Sequence, residues 1–134
     1  MAVLLSEDVQ AIAAPLTVTT TAETLVIAGF ECPLTSDHAK AIIRGWIDLT
    51  IPAGTTAISL RIYDGAAIGG RLLGAKQALP TDFTVGATQH FAIETVHVLQ
   101  AAGAAAYCMS VKLTGATANG TVAAGLIHTT LLTG

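Results

Sequence analysis

The chain has 134 residues, enough for one domain with a real core and too few for two ordinary ones. Six Lys and Arg stand against nine Asp and Glu, and Lys40, Arg44, Arg61, Arg71, Lys76 and Lys112 are scattered singly, which disfavours a nucleic-acid partner, since a phosphate backbone calls for clustered cations. Charged residues are only 11% of the chain against 52% hydrophobic; no apolar run reaches the ~20 residues of a membrane span, so obligate self-association is the expectation.

The first fifteen residues stand apart. Val3, Leu4, Leu5, Val9 and Ile12 suggest a short helix or an extended arm ending before Pro15. They make a poor signal peptide, with no basic n-region and Glu7-Asp8 directly behind a short apolar run. An apolar arm must dock on its own domain or on a neighbouring subunit, and the neighbour is favoured. From Leu16 onward the period is two. Strands are expected at 16–20, 24–30, 41–51, 57–64, 71–79, 88–99, 105–114 and 121–132, each rich in Val, Ile, Thr or Leu. Pro33, Pro52-Ala53-Gly54, Asp64-Gly65, Pro80-Thr81-Asp82, Gly103 and Asn119-Gly120 punctuate them. Gln100-Ala101-Ala102-Gly103 and the segment ending in Asn119-Gly120 read as hairpin turns. Eight strands without an amphipathic helix between them predict an all-β sandwich or barrel over 16–134, preceded by an arm over 1–15.

Several strands are two-sided. Gly45, Ile47, Leu49 and Ile51 oppose Trp46, Asp48 and Thr50. Phe91, Ile93, Thr95 and His97 oppose Ala92, Glu94, Val96 and Val98, and Tyr107, Met109, Val111 and Leu113 oppose Cys108, Ser110, Lys112 and Thr114. One face packs on a second sheet, and the other meets solvent or a partner. The outer faces hold Ala, Thr, Val and Ser where a solvated sheet carries Lys and Glu, as expected of a sheet lying against another subunit.

No motif carries chemistry. The glycine-rich stretch from Asp64 to Gly70 has no following helix and no P-loop lysine; Gly65, Gly69 and Gly70 are expected to supply positive-φ turn conformations. Of the four histidines, His38, His90, His97 and His128, the pair His90 and His97 lies seven apart on one strand and faces opposite sides, so these two cannot share a metal unless the strand is bulged. Cys32 and Cys108 form no metal pattern; one disulfide is possible, and two buried thiols is the blander reading. No serine has a nucleophile-elbow context, and Asp48, Asp64, Asp82 and Glu94 show no paired spacing. Trp46 and Tyr63 are placed on one face, and Trp46 is assigned to packing at a sheet edge or subunit contact. No catalytic residue, cofactor or metal is called for, and the chain reads as a non-enzyme.

The order "IIRGWIDLTIPAGTTAISLRIYDG" followed by "GGRLLG", "YCMSVKLTG" and "NGTVAAGLIHTTLL" resembles the small jelly-roll domains of tailed-bacteriophage virions. The similarity spans roughly residues 40 to 132, through Thr56 to Gly65, Leu72 to Gly74, Tyr107 to Val111 and Gly120 to Val122. It is a pattern of strands and turns, not a catalytic signature. The resemblance implies an eight-stranded jelly roll that acts as a decoration, or head-cement, protein. Such a protein is made in the host cytoplasm and stands as a trimer on the outer capsid surface. Its N-terminal arm clasps neighbours, and the major capsid protein lattice is its partner. Trimerisation would then cover outer-sheet positions such as Val96, Val98, Leu126 and Ile127. The runner-up reading is a binding module that recognises a glycan or host receptor through loops carrying Asp64, Asp82 and Asn119. A cupin-like metalloenzyme comes last, because the histidine spacing argues against it.

Overall fold

The computed structural model describes residues 4–20, 22–27, 31–34, 40–65, 67–98 and 103–132, with the backbone alone for 4–6, 31–34 and 103–105. Among these residues there is no helix. The strands are β1 (Leu4–Ala11), β2 (Leu16–Val18), β3 (Thr24–Ile27), β4 (Glu31–Leu34), β5 (Lys40–Thr50), β6 (Ala57–Asp64), β7 (Arg71–Ala78), β8 (Thr88–Val98), β9 (Gly103–Thr114) and β10 (Gly120–Leu132). They form two antiparallel sheets. One has the order β1-β10-β5-β8 with β2 also on β10; the other has the order β3-β9-β6-β7 with β4 also on β9.

The topology explains why ten strands behave as eight. Ala11 pairs with Leu126 and Leu16 with Val122, so β1 and β2 are two halves of one strand laid along β10 and interrupted near Pro15. In the same way β3 and β4 are two halves of one strand on β9. Counted so, the first strand pairs with the last, the second with the seventh, β5 with β8, and β6 with β7. This nesting of pairs folded into two facing sheets is the jelly roll. The N-terminal segment is extended, not helical, and in this chain its backbone lies on β10 of the same domain.

Alternation builds the core. Ile43, Ile47, Leu49, Phe91, Ile93 and Ile127 from one sheet meet Ile58, Leu60, Ile62, Tyr107, Met109 and Leu113 from the other. Each buried aliphatic side chain contributes roughly 1.5–3 kcal/mol of hydrophobic stabilisation. Gly45 lies among them because the facing sheet leaves no room: a Cβ there would run into the Met109 sulfur.

Two turn expectations change. β8 and β9 lie in different sheets, as do β9 and β10, so both connections cross the sandwich instead of closing hairpins. Residues 99–102 of the first connection lie outside the described residues. In the second, Gly120 already belongs to β10, and the positive φ of 78° belongs to Gly115. The one hairpin among consecutive described strands is β6–β7, whose turn is the glycine-rich stretch that drew attention in the sequence. Gly65 and Gly69 take φ of 109° and 103° there. Gly70 is needed for space instead, since a Cβ on it would strike the Asp64 carbonyl oxygen. The loop is a bend between strands.

Cys108 is a free, buried thiol, and burial pushes its pKa above the ordinary value. The side chain of Cys32, and all of His38, lie outside the described residues.

Candidate functional site

The outer face of the β1-β10-β5-β8 sheet collects most of the residues singled out for contact. Directly paired residues of an antiparallel sheet share a face, so the register lays out rungs across the four strands. One rung runs Ala11, Leu126, Trp46, Ala92; the next runs Val9, His128, Arg44, Glu94. A third holds Glu7, Thr130, Ile42 and Val96, and a fourth Leu132, Lys40 and Val98. The β5–β8 ladder runs from Lys40 opposite Val98 to Thr50 opposite Thr88 without a register shift, so this part of the face is regular.

Val9, Trp46, Val96, Val98 and Leu126 therefore share one face, with Trp46 beside Leu126 and with Val9 and the β8 valines at its two edges. Val9, Val96 and Val98 are 53%, 54% and 50% exposed, unusually open for valines on a regular sheet. Ala92, opposite Trp46, is small enough to leave a shallow apolar notch between the indole and the Arg44–Glu94 pair. Two other expected contact residues are elsewhere. Ile12 is partly buried against the core, and Ile127 is fully buried inside the sandwich. Reading Ile127 as an outer position is corrected by the bulge between Val122 and Ala124, which switches the side-chain parity of β10. Val3 and the side chains of Leu4 and Leu5 lie outside the described residues.

Six charged or titratable side chains of this face are arranged in three pairs, to which Lys40 on the fourth rung does not belong. Arg44 Nε donates to Glu94 Oε2 at 2.7 Å, His90 Nδ1 lies 2.9 Å from Asp48 Oδ1, and His128 Nε2 lies 3.2 Å from Glu7 Oε1. The His90 ring also packs against Trp46, with centroids 5.2 Å apart. In the open face such pairs contribute little, about 0–1 kcal/mol each. His97 points the other way, into the sandwich, where Nδ1 lies 3.1 Å from the Tyr107 hydroxyl. The two histidines of β8 thus face opposite sides, and no cluster of three metal-ligating side chains occurs among the described residues.

A second polar constellation, on the outer face of the opposite sheet, escaped the sequence reading. Glu23, just before β3, accepts hydrogen bonds from Ser110 Oγ and Arg61 Nη1, each at 2.7 Å. Tyr63 sits beside them, nearly buried, on β6; it is on the sheet opposite Trp46, so the expected shared face does not form. Burial pushes the Glu23 carboxyl up, but hydrogen bonds from Ser110 and Tyr63 and the charge of Arg61 outweigh it and hold it below its ordinary value. Ser110 is fully enclosed and bonded to a carboxylate, with no imidazole among the bonds of the cluster, so the arrangement is a clamp on the β2–β3 crossover. A lone acid in a linker gives no signal of this in the sequence.

The depressed pKa sets the sign of a pH effect. Glu23 adds stability above the unfolded carboxyl pKa, and this is lost as pH falls through the lowered folded value. Glu23→Gln is expected to cost about 1–3 kcal/mol at neutral pH. In urea titrations the gap between wild type and variant narrows on acidification; a gap independent of pH contradicts the clamp.

The loop residues proposed for ligand recognition do not converge. Asp64 ends β6 at one end of the sandwich. Asp82 and Asn119 lie in connections at the other end, because Ile58 near the start of β6 pairs with Ala78 and Leu113. Asp82 is engaged locally, its Oδ2 accepting the Leu79 N–H at 2.9 Å.

No protein-family model and no curated protein matches the chain. Among solved structures, it is similar to a chain of the T=1 particles derived from infectious bursal virus, with a TM-score of 0.56 and 9% identity over 96% of this chain and 36% of that one. The Gt strain of infectious bursal disease virus gives 0.51 and 11%, over 96% and 36%. A capsid chain of a Helicobacter pylori bacteriophage gives 0.47 and 8%, over 98% and 90%. This chain spans about a third of the length of the bursal virus chains. At such identities the likeness is one of fold.

Proposed function

We propose that this protein is a structural subunit of a virion, a non-enzymatic decoration or cement protein that self-associates through the outer face of the β1-β10-β5-β8 sheet. One observation carries the reading: in a chain with only 11% charged residues, the half-exposed valines Val9, Val96 and Val98 share one outer sheet face with Trp46 and Leu126. A face that sets open valines and a tryptophan among charge pairs has the mixed apolar and polar character of a contact surface. The fold shared with the bursal virus chains is consistent with a place in a shell, and the resemblance to phage jelly rolls adds its outer surface and the trimer.

Residues 1–15 act in this reading as a separable arm. β1 is an edge strand that brings the partly buried Ile12 to the core, while the β2–β10 pairing does not depend on it. The lattice contact falls on the loop between β7 and β8. Leu79 and Val85 are exposed there on a frame held by buried Phe83, the Asp82 cap and the Gly86 N–H to Ile51 O bond of 2.8 Å. A protein that binds only the assembled lattice stabilises it by mass action.

Light scattering on the purified chain tests the association. The expected native mass is about three times 13.6 kDa. A monomer at every concentration removes the reading and returns the loop-recognition alternative to first place.

A further inference from the structure

We propose that the outer face of the β3-β9-β6-β7 sheet holds a binding site for a carboxylate-bearing sugar residue, such as a uronic acid, seated on Lys112 between Ser59, Gln77 and Thr114. The proposal does not depend on the self-association reading above. The site is a groove of about 410 Å³ across β9, β6 and β7. Its central rung is polar: Lys112 pairs with Ser59, and Ser59 with Gln77. The rungs on either side bring Ala57 beside Thr114 and Ala75 beside Arg61, and the two alanines leave the central rung in a hollow. Half-exposed Leu72 adds an aliphatic wall.

Lys112 supplies the reason for a ligand. It is half-buried on β9, an inner strand of the sheet, whereas Lys40, Arg71 and Lys76 are exposed. No carboxylate lines the groove, and among the described residues the Lys112 ammonium has neither an ion pair nor a hydrogen bond. A lysine drawn partly out of water without a counter-charge is uncommon, because nothing offsets its desolvation. The other cation of the groove is already engaged: Arg61 Nη1 donates to Glu23 Oε1 at 2.7 Å and Nε to Ser59 Oγ at 3.1 Å. The site therefore presents one net positive charge. Around it, Ser59 keeps its own O–H to donate, and the side chains of Gln77 and Thr114 have no partner among the described residues.

These features select among anions. A nucleic acid or another polyanion needs clustered cations, and one is available. An acidic peptide docks by extending an open strand edge. The floor here is β6, whose backbone is paired on both sides, and a peptide added to the edge of β7 would lie beyond Gln77, away from Lys112. A neutral sugar leaves Lys112 uncompensated, and no aromatic ring lines the groove to stack against it. A compact acidic sugar meets every element. Its carboxylate takes a charge-assisted bond from Lys112. Its hydroxyls exchange hydrogen bonds with Ser59, Gln77 and Thr114, each of which both donates and accepts. Its C–H face lies on Ala57, Ala75 and Leu72.

Titration of the full chain with sodium glucuronate, followed by backbone amide shifts in two-dimensional spectra, tests the site. Shifts are expected to centre on the rung of Lys112, Ser59 and Gln77, with affinity at least about tenfold above that for glucose or acetate. Lys112→Met keeps the aliphatic stem and is expected to lose at least about tenfold. Gln77→Ala, a change on an exposed edge strand, is an independent second variant with an expected loss of about threefold. Lys76→Met removes the same charge one residue away, where the side chain leaves the opposite face of β7, and is expected to bind as the wild type does. The spectrum of each variant shows whether the fold is kept. Absence of binding, equal affinity for glucose or acetate, a Lys112→Met chain that binds undiminished, or an equal loss in Lys76→Met overturns the proposal. None of these outcomes bears on self-association, which the native mass decides.

Discussion

Val96→Glu is expected to leave the protein folded and monomeric. Val96 is more than half exposed in the isolated chain, so replacing it changes the stability of the monomer by no more than about 0.5 kcal/mol. In the assembly it would cover a new carboxylate opposite Ile42, in the rung that already carries Glu7, and add a negative charge to each buried face. Breaking an interface this way costs several kcal/mol, enough to abolish association at micromolar concentration. Trp46→Ala removes the aromatic centre of the same face. It is expected to weaken association by about 2 kcal/mol, roughly 30-fold, without preventing it. The check is native mass against concentration, with far-ultraviolet circular dichroism to show that the strands persist. A Val96→Glu protein that keeps the wild-type oligomer would mean that the contact lies elsewhere.

Gly54→Val is expected to damage the fold severely although it lies outside the hydrophobic core. Gly54 has φ of 83° and Gly115 φ of 78°, and the two face each other across adjacent connections at one end of the sandwich. A Cβ on Gly54 would stand 2.7 Å from the Gly115 carbonyl oxygen, and one on Gly115 would stand 2.8 Å from that of Gly54. Both obstacles are backbone, so no rotamer relieves them. The loops are also tied together by Thr117 N–H to Ala53 O at 2.9 Å and Thr56 N–H to Thr114 O at 2.8 Å. Left-handed strain and overpacking together are expected to cost about 3 kcal/mol, a large share of the 5–15 kcal/mol typical of a domain. Gly69→Ala supplies the contrast. It shares the positive φ but has nothing within 4 Å of an added Cβ, so about 1 kcal/mol is expected. Urea unfolding of both variants decides; equal losses would mean that strain alone matters and the loop-to-loop contact does not.

What the sequence made legible was the alternation of side chains, and this follows from its physical basis. In β5, β8 and β9 inward residues were readable, from Ile47 and Leu49 to Met109 and Val111, because burial on one face imposes period two directly on the residue types. Pairing partners were not readable, since a crossover and a hairpin can use the same short polar connection. Hence the links after Val98 and after Thr114 were read as hairpins although they join different sheets. Parity also fails silently at a bulge. Leu126 and Ile127 are both apolar, and nothing in their chemistry reveals that the irregularity near Ala123 turns Leu126 outward and Ile127 inward. The first strand was hidden for another reason: Pro15 and its neighbours divide it, so its leading half looked like a separate segment.

The candidate surface was half legible. Val9 was chosen as part of an apolar arm, Trp46 as a sheet-edge or subunit contact, and Val96, Val98 and Leu126 as outer-sheet positions, and the sheet register put them on one face. The carboxylate–imidazole pairs could not be foreseen, because Glu7 and His128 are 121 positions apart and meet only through β1 and β10. The Glu23 clamp is of the same kind, joining residues from three separate elements.

Trp46 is the only tryptophan in the chain and lies within the proposed contact. Acrylamide quenching of its fluorescence, followed across a dilution series alongside the native mass, therefore tests the central claim directly. Quenching that falls as the oligomer forms, and returns in Val96→Glu, is the predicted result. An oligomer in which Trp46 stays as open to the quencher as in the monomer would contradict the account.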